Sequence, residues 1–322
     1  MIGVDIMLKN GGELVAITTS EAKDELSTLL DKGRLCVFAG SGVSVDTPSE
    51  LPTWDGFVSK YIEICKRIND MASDDLKFNE IISDAEYNSE LDAINTITAL
   101  KDRIKHWKDK SGLSLDRYTQ KLNDIFATDN FNEYHDAIVN TNYSHILTTN
   151  YDTLLDEAAE CGGYVDLCKR IYTYTEADKI SSAIYQRESA LIHVHGIRSR
   201  IAFDEFVLTR DDYKRIKDKN PGFRTIMNNL FMNYSMLLVG YGGSDPHMED
   251  VIEDINLSLG WLDSELGLGS LPTYYIILHK DKVSPIVDHI KYRNRTKIIP
   301  VEKYSESLEL LKYLATKHPR SK

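Results

Sequence analysis

Six short apolar runs, most of them closing on small or polar residues and followed by a helical pattern, constrain this chain more than any other feature. They are RLCVFA (34–39), HILTT (145–149), LIHVHG (191–196), MLLVGYG (236–242), YYIILH (274–279) and KIIPV (297–301). Continuous apolar runs this short read as strands covered on both faces, not as strands with one face in water. Strands that alternate with helical segments build an α/β fold, here a Rossmann-like, doubly wound and mainly parallel sheet. The segment SEAKDELSTLL (20–30) supplies a leading helix with acids in its first turn and Gly33 as its stop, and the chain closes on a strand and helix in TKIIPVEKYSESLELLKYLATK.

Between Trp54 and Tyr134 the pattern changes to charged segments with helical spacing, such as WDGFVSKYIEICKRI and YTQKLNDIFA. A helical insertion over residues 54–134 is therefore expected, set into a sheet domain formed by residues 1–53 and 135–322. Ligands of such sheets bind beyond the carboxyl ends of the strands, where the strand order reverses. Four strand ends carry unusual residues: AGSGVS (39–44), TTNYD (148–152), VHG (194–196) and GYGGSDP (240–246). If the fold is right, they converge.

Composition removes several classes of function. Thirty-eight Lys and Arg stand against 50 Asp and Glu, a net charge of −12, so the surface lacks the concentrated basic face that binding nucleic acid by counterion release requires. Cys36, Cys65, Cys161 and Cys168 form no paired CxxC unit, which argues against a structural zinc site and for free thiols. No stretch reaches the roughly 18 apolar residues of a membrane span, and the N-terminus has no apolar signal core, so a cytoplasmic location is expected.

AGSGVS offers backbone N–H groups around Gly40 and Gly42 with the Ser41 and Ser44 hydroxyls, a cradle for a pyrophosphate; it lacks the Lys-Ser/Thr of a P-loop. In TTNYD, Asn150 and Asp152 offer an amide and a carboxylate to a ligand, while Asp152 is equally suited to cap the helix TLLDEAAE. His195 stands as a general base or as a core histidine, and strand alternation puts His193 on the same face, so periodicity does not separate the two. His195 is preferred as the nearer to the strand end. GYGGSDP places Gly240, Gly242 and Ser244 where a ribose or a second phosphate would sit, and Pro246 also suits a helix start.

Taken together and in this order, the four motifs resemble the sirtuin-like (silent information regulator) family, in particular its bacterial anti-phage branch of NAD-consuming effectors. The resemblance implies that Ala39, Gly40, Ser41, Gly42 and Ser44 belong to the first phosphate-binding loop. Thr149, Asn150 and Asp152 fall in the nicotinamide and ribose site, His195-Gly196 is the catalytic His-Gly, and Gly240, Gly242 and Ser244 lie in the loop holding the adenosine half. Two departures are informative. No cysteine follows His195, so the zinc ribbon of the protein deacylases has no ligands, and no zinc is expected. DTPSELPTW replaces their Pro-Asp-Phe-Arg stretch, leaving Pro52, Thr53 and Trp54 to shape a different lid.

The activity this resemblance implies is cleavage of NAD+ to nicotinamide and ADP-ribose, with a cyclic product as an open alternative. Asn150 orients the ribose or the attacking water, His195 accepts a proton, and Asp152 holds the carboxamide. A deacylase or ADP-ribosyltransferase, and a non-catalytic NAD or ADP-ribose sensor, are the competing expectations. The motifs use nearly all the length outside the insertion, so a trigger is expected to act in trans or through assembly. The corresponding expectation is a homo-oligomer, with a HerA-type hexameric ATPase as the partner that the resemblance implies.

Overall fold

A computed structural model describes residues 15–71, 77–88, 93–111, 116–198, 207–242, 251, 255, 272–283 and 296–322. Eight strands form one sheet: β1 (Val15–Ala16), β2 (Leu35–Ala39), β3 (Ile146–Thr148), β4 (Ile171–Thr173), β5 (Leu191–His193), β6 (Ser235–Val239), β7 (Tyr274–His279) and β8 (Thr296–Val301). Their order is β1-β8-β7-β6-β2-β3-β5-β4, and every pairing is parallel. The six expected strands are all present, in a Rossmann-like sheet. Two more appear at its edges: β1 and β4 are two and three residues long, too short to show as apolar runs.

The period-two rule divides each central strand between two layers. From β2, Cys36 and Phe38 enter one apolar cluster, while Leu35, Val37 and Ala39 enter the other. The first layer is covered by α9 (Ala177–Gln186), α10 (Arg210–Lys219) and α11 (Pro221–Asn233), through residues such as Ile180, Ile216 and Phe223. The second is covered by α1 (Thr19–Asp31), α6 (Glu133–Asn140), α7 (Leu154–Gly162) and, after the short α8 (Val165–Cys168), by the final helix α12 (Tyr304–Lys317). A reciprocal cap starts α1: the Thr18 hydroxyl accepts the Glu21 N–H while the Glu21 carboxylate accepts the Thr18 N–H.

From β2 the chain winds to β3, β4 and β5 on one side and returns to β6, β7 and β8 on the other. The order therefore reverses at β2. The crevice beyond its carboxyl end is flanked by the ends of β3 and β6, and it is where a ligand of such a sheet belongs.

Between residues 54 and 125 the described elements are all helical: α2 (Trp54–Met71), α3 (Asn79–Asn88), α4 (Ala93–Ser111) and α5 (Asp116–Ile125). They enclose an apolar cluster of their own, with Phe57, Tyr61, Cys65, Ile97 and Leu100 in it, that runs on to Tyr151 and Leu208 of the sheet half. One buried ion pair joins α4 to α10, Lys101 Nζ to Asp212 Oδ2 at 2.8 Å. All four cysteines are free, and among the described residues no helix is long and apolar enough to cross a membrane.

Candidate active site

β2 ends at Ala39 and turns directly into a 3-10 turn over Ser41–Ser44. The glycines there are needed for approach. A Cβ on Gly40 would lie 2.6 Å from the Gly240 carbonyl oxygen, and one on Gly42 would lie 2.7 Å from the Gly240 Cα. Gly240 itself has φ +60°, in the left-handed region, with the Val43 nitrogen 2.5 Å from its would-be Cβ. The Gly40 and Gly42 N–H groups donate to the Val239 and Gly240 carbonyls. Both therefore hold the ends of β2 and β6 together, and the expectation that these two N–H groups face a phosphate does not describe where they point. Gly240→Ala is expected to destabilise the fold by about 2–4 kcal/mol, from left-handed strain plus backbone overlap. A chemical denaturation midpoint equal to that of the parent would show that the two loops part freely.

Past β3, the chain turns through Thr149–Thr153 into α7. Asn150 is buried, and its side chain is divided: Nδ2 donates to the Ser44 hydroxyl at 3.2 Å, while Oδ1 accepts a hydrogen bond from none of the described residues. Asp152 takes up the capping use expected of it, and its second oxygen is engaged within the protein. Its Oδ1 accepts the Leu154 N–H at the start of α7, and its Oδ2 accepts the Ser44 hydroxyl. Burial pushes the Asp152 carboxyl above the ordinary range against those hydrogen bonds and His193.

β5 stops at His193, so the shared-face expectation for the two histidines does not hold. His193 stays in the sheet, its Nε2 2.9 Å from Asp156 on α7 and its Nδ1 3.4 Å from the Asn150 carbonyl. Burial lowers its pKa, but Asp156 and the Asn150 carbonyl outweigh burial and hold it above the ordinary 6.5. His195 lies two residues past the strand, in the turn before Gly196 at φ +92°. It faces the cleft, between Tyr151 and an edge-on Tyr213 at 5.5 Å.

One cleft, holding about 750 Å³ of space counted out to its mouth, gathers these groups. Gly40, Ser41, Ser44, Thr149, Asn150, Asp152, His195, Gly240 and Gly242 all line it. Ala39 does not; it is strand interior, and its carbonyl accepts the Thr148 hydroxyl. Gly42 is spent on the contact with Gly240, and Ser244 lies outside the described residues. Pro52, Thr53 and Trp54 border the cleft, where a lid was expected.

The opposite wall was not foreseen. Trp54 lies 5.5 Å from Phe57, Phe57 5.4 Å from Phe126, and Phe126 5.3 Å from Tyr151, which makes a continuous aromatic surface contributed largely by the helical segment. A polar end and an aromatic wall suit a ligand that joins hydroxyl-bearing sugars to flat rings. The sequence signals for that wall were the expected lid position of Trp54 and the adjacency of Tyr151 to Asn150; Phe57 and Phe126 carried none. Among the described residues no group of His, Cys, Asp and Glu is arranged to hold a metal ion.

Residues 144–296 match the model of the SIR2-like domain, a span that contains TTNYD, His195-Gly196 and GYGGSDP. The chain is 26% identical to defense-associated sirtuin 2 of Bacillus subtilis over 81% of its own length and 23% of that protein. It is 22% identical to the NAD(+) hydrolase ThsA of Enterococcus faecium over 91% of its own length and 58% of that protein, and 23% identical to the ThsA of Cytobacillus dafuensis over 73% and 41%. The chain thus spans from about a quarter to somewhat over half the length of these curated relatives. The resemblance read from the four motifs is borne out to this extent: residues 144–296 match the SIR2-like domain, and the proteins the chain is similar to include a defense-associated sirtuin and NAD(+) hydrolases.

Proposed function

We propose that this chain is an NAD+ glycohydrolase that releases nicotinamide and ADP-ribose, acting as a cofactor-depleting effector in anti-phage defence. The observation that carries the reading is the placement of Asn150 and His195 on one cleft at the sheet's reversal point, with the Asn150 oxygen buried and accepting from none of the described residues. The printed names of the ThsA relatives support the choice of NAD+.

Cleavage breaks the bond between the nicotinamide nitrogen and the ribose carbon, and the electron pair leaves with nicotinamide, which departs neutral. The oxocarbenium-like centre left behind is met by water, whose proton must go elsewhere. Asn150 Oδ1 orients the ribose hydroxyl or the water, and His195 accepts the proton. Asp152, with a lone pair left on each oxygen, holds the carboxamide N–H groups. Ser41 and Ser44 border the phosphates, and the aromatic wall of Trp54, Phe57 and Phe126 receives a flat ring. Assembly as a homo-oligomer in the cytoplasm, with a HerA-type ATPase as activator, completes the proposal on the strength of the family resemblance.

The test incubates the purified chain with NAD+, alone and with that ATPase, and resolves the products by chromatography. Nicotinamide and ADP-ribose in equal amounts are expected. Release that requires an acylated peptide would transfer the reading to a deacylase, and tight binding without turnover in every mixture would leave a sensor.

A further inference from the structure

We propose that His135, which does not line the cleft, is a positioning residue that fixes which end of the Asn150 amide faces the substrate, acting through the Ser44 hydroxyl. The inference rests on the NAD+-cleaving reading for its kinetic consequence and on hydrogen-bond chemistry alone for its geometry.

His135 lies on the first turn of α6, fully buried. Its Nδ1 accepts the backbone N–H of Asn132 at 3.1 Å. A backbone N–H only donates, so Nδ1 carries no proton and the neutral ring carries its proton on Nε2. Burial keeps the ring neutral by pushing its pKa down to about 3. Nε2 lies 3.1 Å from the Ser44 Oγ, and with its proton fixed there it is the donor. Asn132 ties the same turn down from the other side, its Nδ2 donating to the Val43 carbonyl at 2.9 Å.

The Ser44 hydroxyl is then filled in one way only. It has one proton and two lone pairs, and three side chains compete for them. His135 Nε2 donates to one lone pair and the Asp152 carboxylate only accepts, so the proton goes to Asp152 Oδ2 at 3.1 Å and the remaining lone pair is left for a donor, the Asn150 Nδ2. The Asn150 amide cannot turn over. With Oδ1 toward Ser44 it would need the proton already given to Asp152. The amide oxygen is thereby turned away from Ser44; it accepts from no described residue, in a side chain that lines the cleft where a ribose hydroxyl or a water needs an acceptor. Without the His135 donor, Ser44 has a lone pair to spare and its hydroxyl is free to rotate. With one partner fewer the Ser44 oxygen is no longer pinned between Asp152 and Asn150, its proton can leave Asp152, and the amide loses the fixed acceptor that holds its NH2 end.

Two substitutions separate the bonds that His135 makes. His135→Asn keeps an acceptor near the Nδ1 position for Asn132 but is too short to reach Ser44. His135→Gln places an N–H donor near the Nε2 position. The expected result is that His135→Asn lowers kcat for NAD+ cleavage by about 10–100-fold with KM changed by less than about threefold, and that His135→Gln recovers kcat to within about threefold of the parent. A purely structural role would order both variants by their melting temperatures. Equal kcat in the two variants, or losses that follow melting temperature, would overturn the proposal. A second measurement needs no NAD+ cleavage: long-range proton–nitrogen NMR of the histidine-labelled full chain. His135 is expected to show the neutral Nε2–H form unchanged from pH 5 to 8. A ring protonated at Nδ1, or one titrating in the ordinary histidine range, sinks the inference even if the enzyme is active. A chain that cleaves no NAD+ but shows the expected tautomer removes the functional reading and leaves the positioning geometry standing.

Discussion

Asn150→Ala is expected to lower nicotinamide release from NAD+ by about 10²–10³-fold, and His195→Ala by about 10²–10⁴-fold, while both variants remain folded. The two losses have different origins. In the proposed mechanism Asn150 contributes a fixed acceptor in a buried site, so nothing has to reorganise as charge develops on the ribose, and alanine replaces that acceptor with empty space. Folding should survive because the residue's packing role is small: its side chain makes one hydrogen bond, to Ser44, which keeps His135 and Asp152 as partners. Loss of such a bond costs about 1 kcal/mol. In the proposed mechanism His195 contributes a proton acceptor, and its ring stands between those of Tyr151 and Tyr213. If both residues serve one step, the double variant should be little slower than the slower single one, because groups acting as a unit are not additive. Steady-state kinetics with thermal melts on the same preparations decide it. Release that survives both changes would show that other groups carry the chemistry.

The parts of the cleft that the sequence exposes are those that follow strands. Small residues after an apolar run mark a strand end whatever the tertiary structure, and the reversal of strand order at β2 then gathers them, so Ser44, Asn150, His195 and Gly240 could be grouped before any coordinates existed. Residues reaching the cleft from elsewhere carried no such mark. Phe126 reads as the apolar face of a helical segment, and Tyr213 follows two acids on a highly polar helix. His135 sits among alternating apolar and polar positions of α6, and its contact with Ser44 spans 91 residues of chain. The ambiguity over His193 and His195 came from extending β5 two residues too far. Once the strand ends at His193, one ring belongs to the sheet and α7, the other to the cleft. For Asp152 capping does not exclude binding a ligand, since a carboxylate has two oxygens: one accepts the Leu154 N–H and the other the Ser44 hydroxyl at the cleft. β4 escaped notice because Ile171–Thr173 is held less by apolar patterning than by pairing with β5 and by the Glu176 carboxylate accepting the Thr173 N–H.

Lys101→Met should destabilise the protein by about 3–5 kcal/mol, the usual cost of removing one partner from a buried ion pair. Both side chains are almost fully buried, at 1% and 5% exposure. Methionine fills much of the space but takes away the nearer and more deeply buried of two cations, leaving Asp212 with Arg215, whose Nη1 is 3.3 Å from its Oδ1. Asp212 cannot move away, because its Oδ2 also accepts the Leu208 and Thr209 N–H groups and the Thr209 hydroxyl at the start of α10. Burial favours its neutral form, but Lys101 and those donors prevail and hold the carboxyl below its ordinary 3.8. The sign of the pH dependence follows. A depressed carboxylate contributes stability that is present above its unfolded pKa and is lost as pH falls through the folded value. In the methionine variant the same carboxyl loses its main counter-charge, its pKa rises, and the penalty grows as pH rises. The stability difference between parent and variant is therefore expected to be largest near neutrality and to shrink through the carboxylate range on acidification. Urea denaturation at a series of pH values measures it, and a difference that stays flat with pH would show that lost packing, not charge, is the cause. The pair also bears on the cleft, because α10 carries Tyr213, whose ring stands edge-on to His195. If Lys101 fixes the start of α10, the methionine variant should lose NAD+-cleaving activity at temperatures well below its own unfolding. Lys101→Met with Asp212→Asn, which removes the stranded charge and keeps an acceptor for the Thr209 cap, should recover part of both losses.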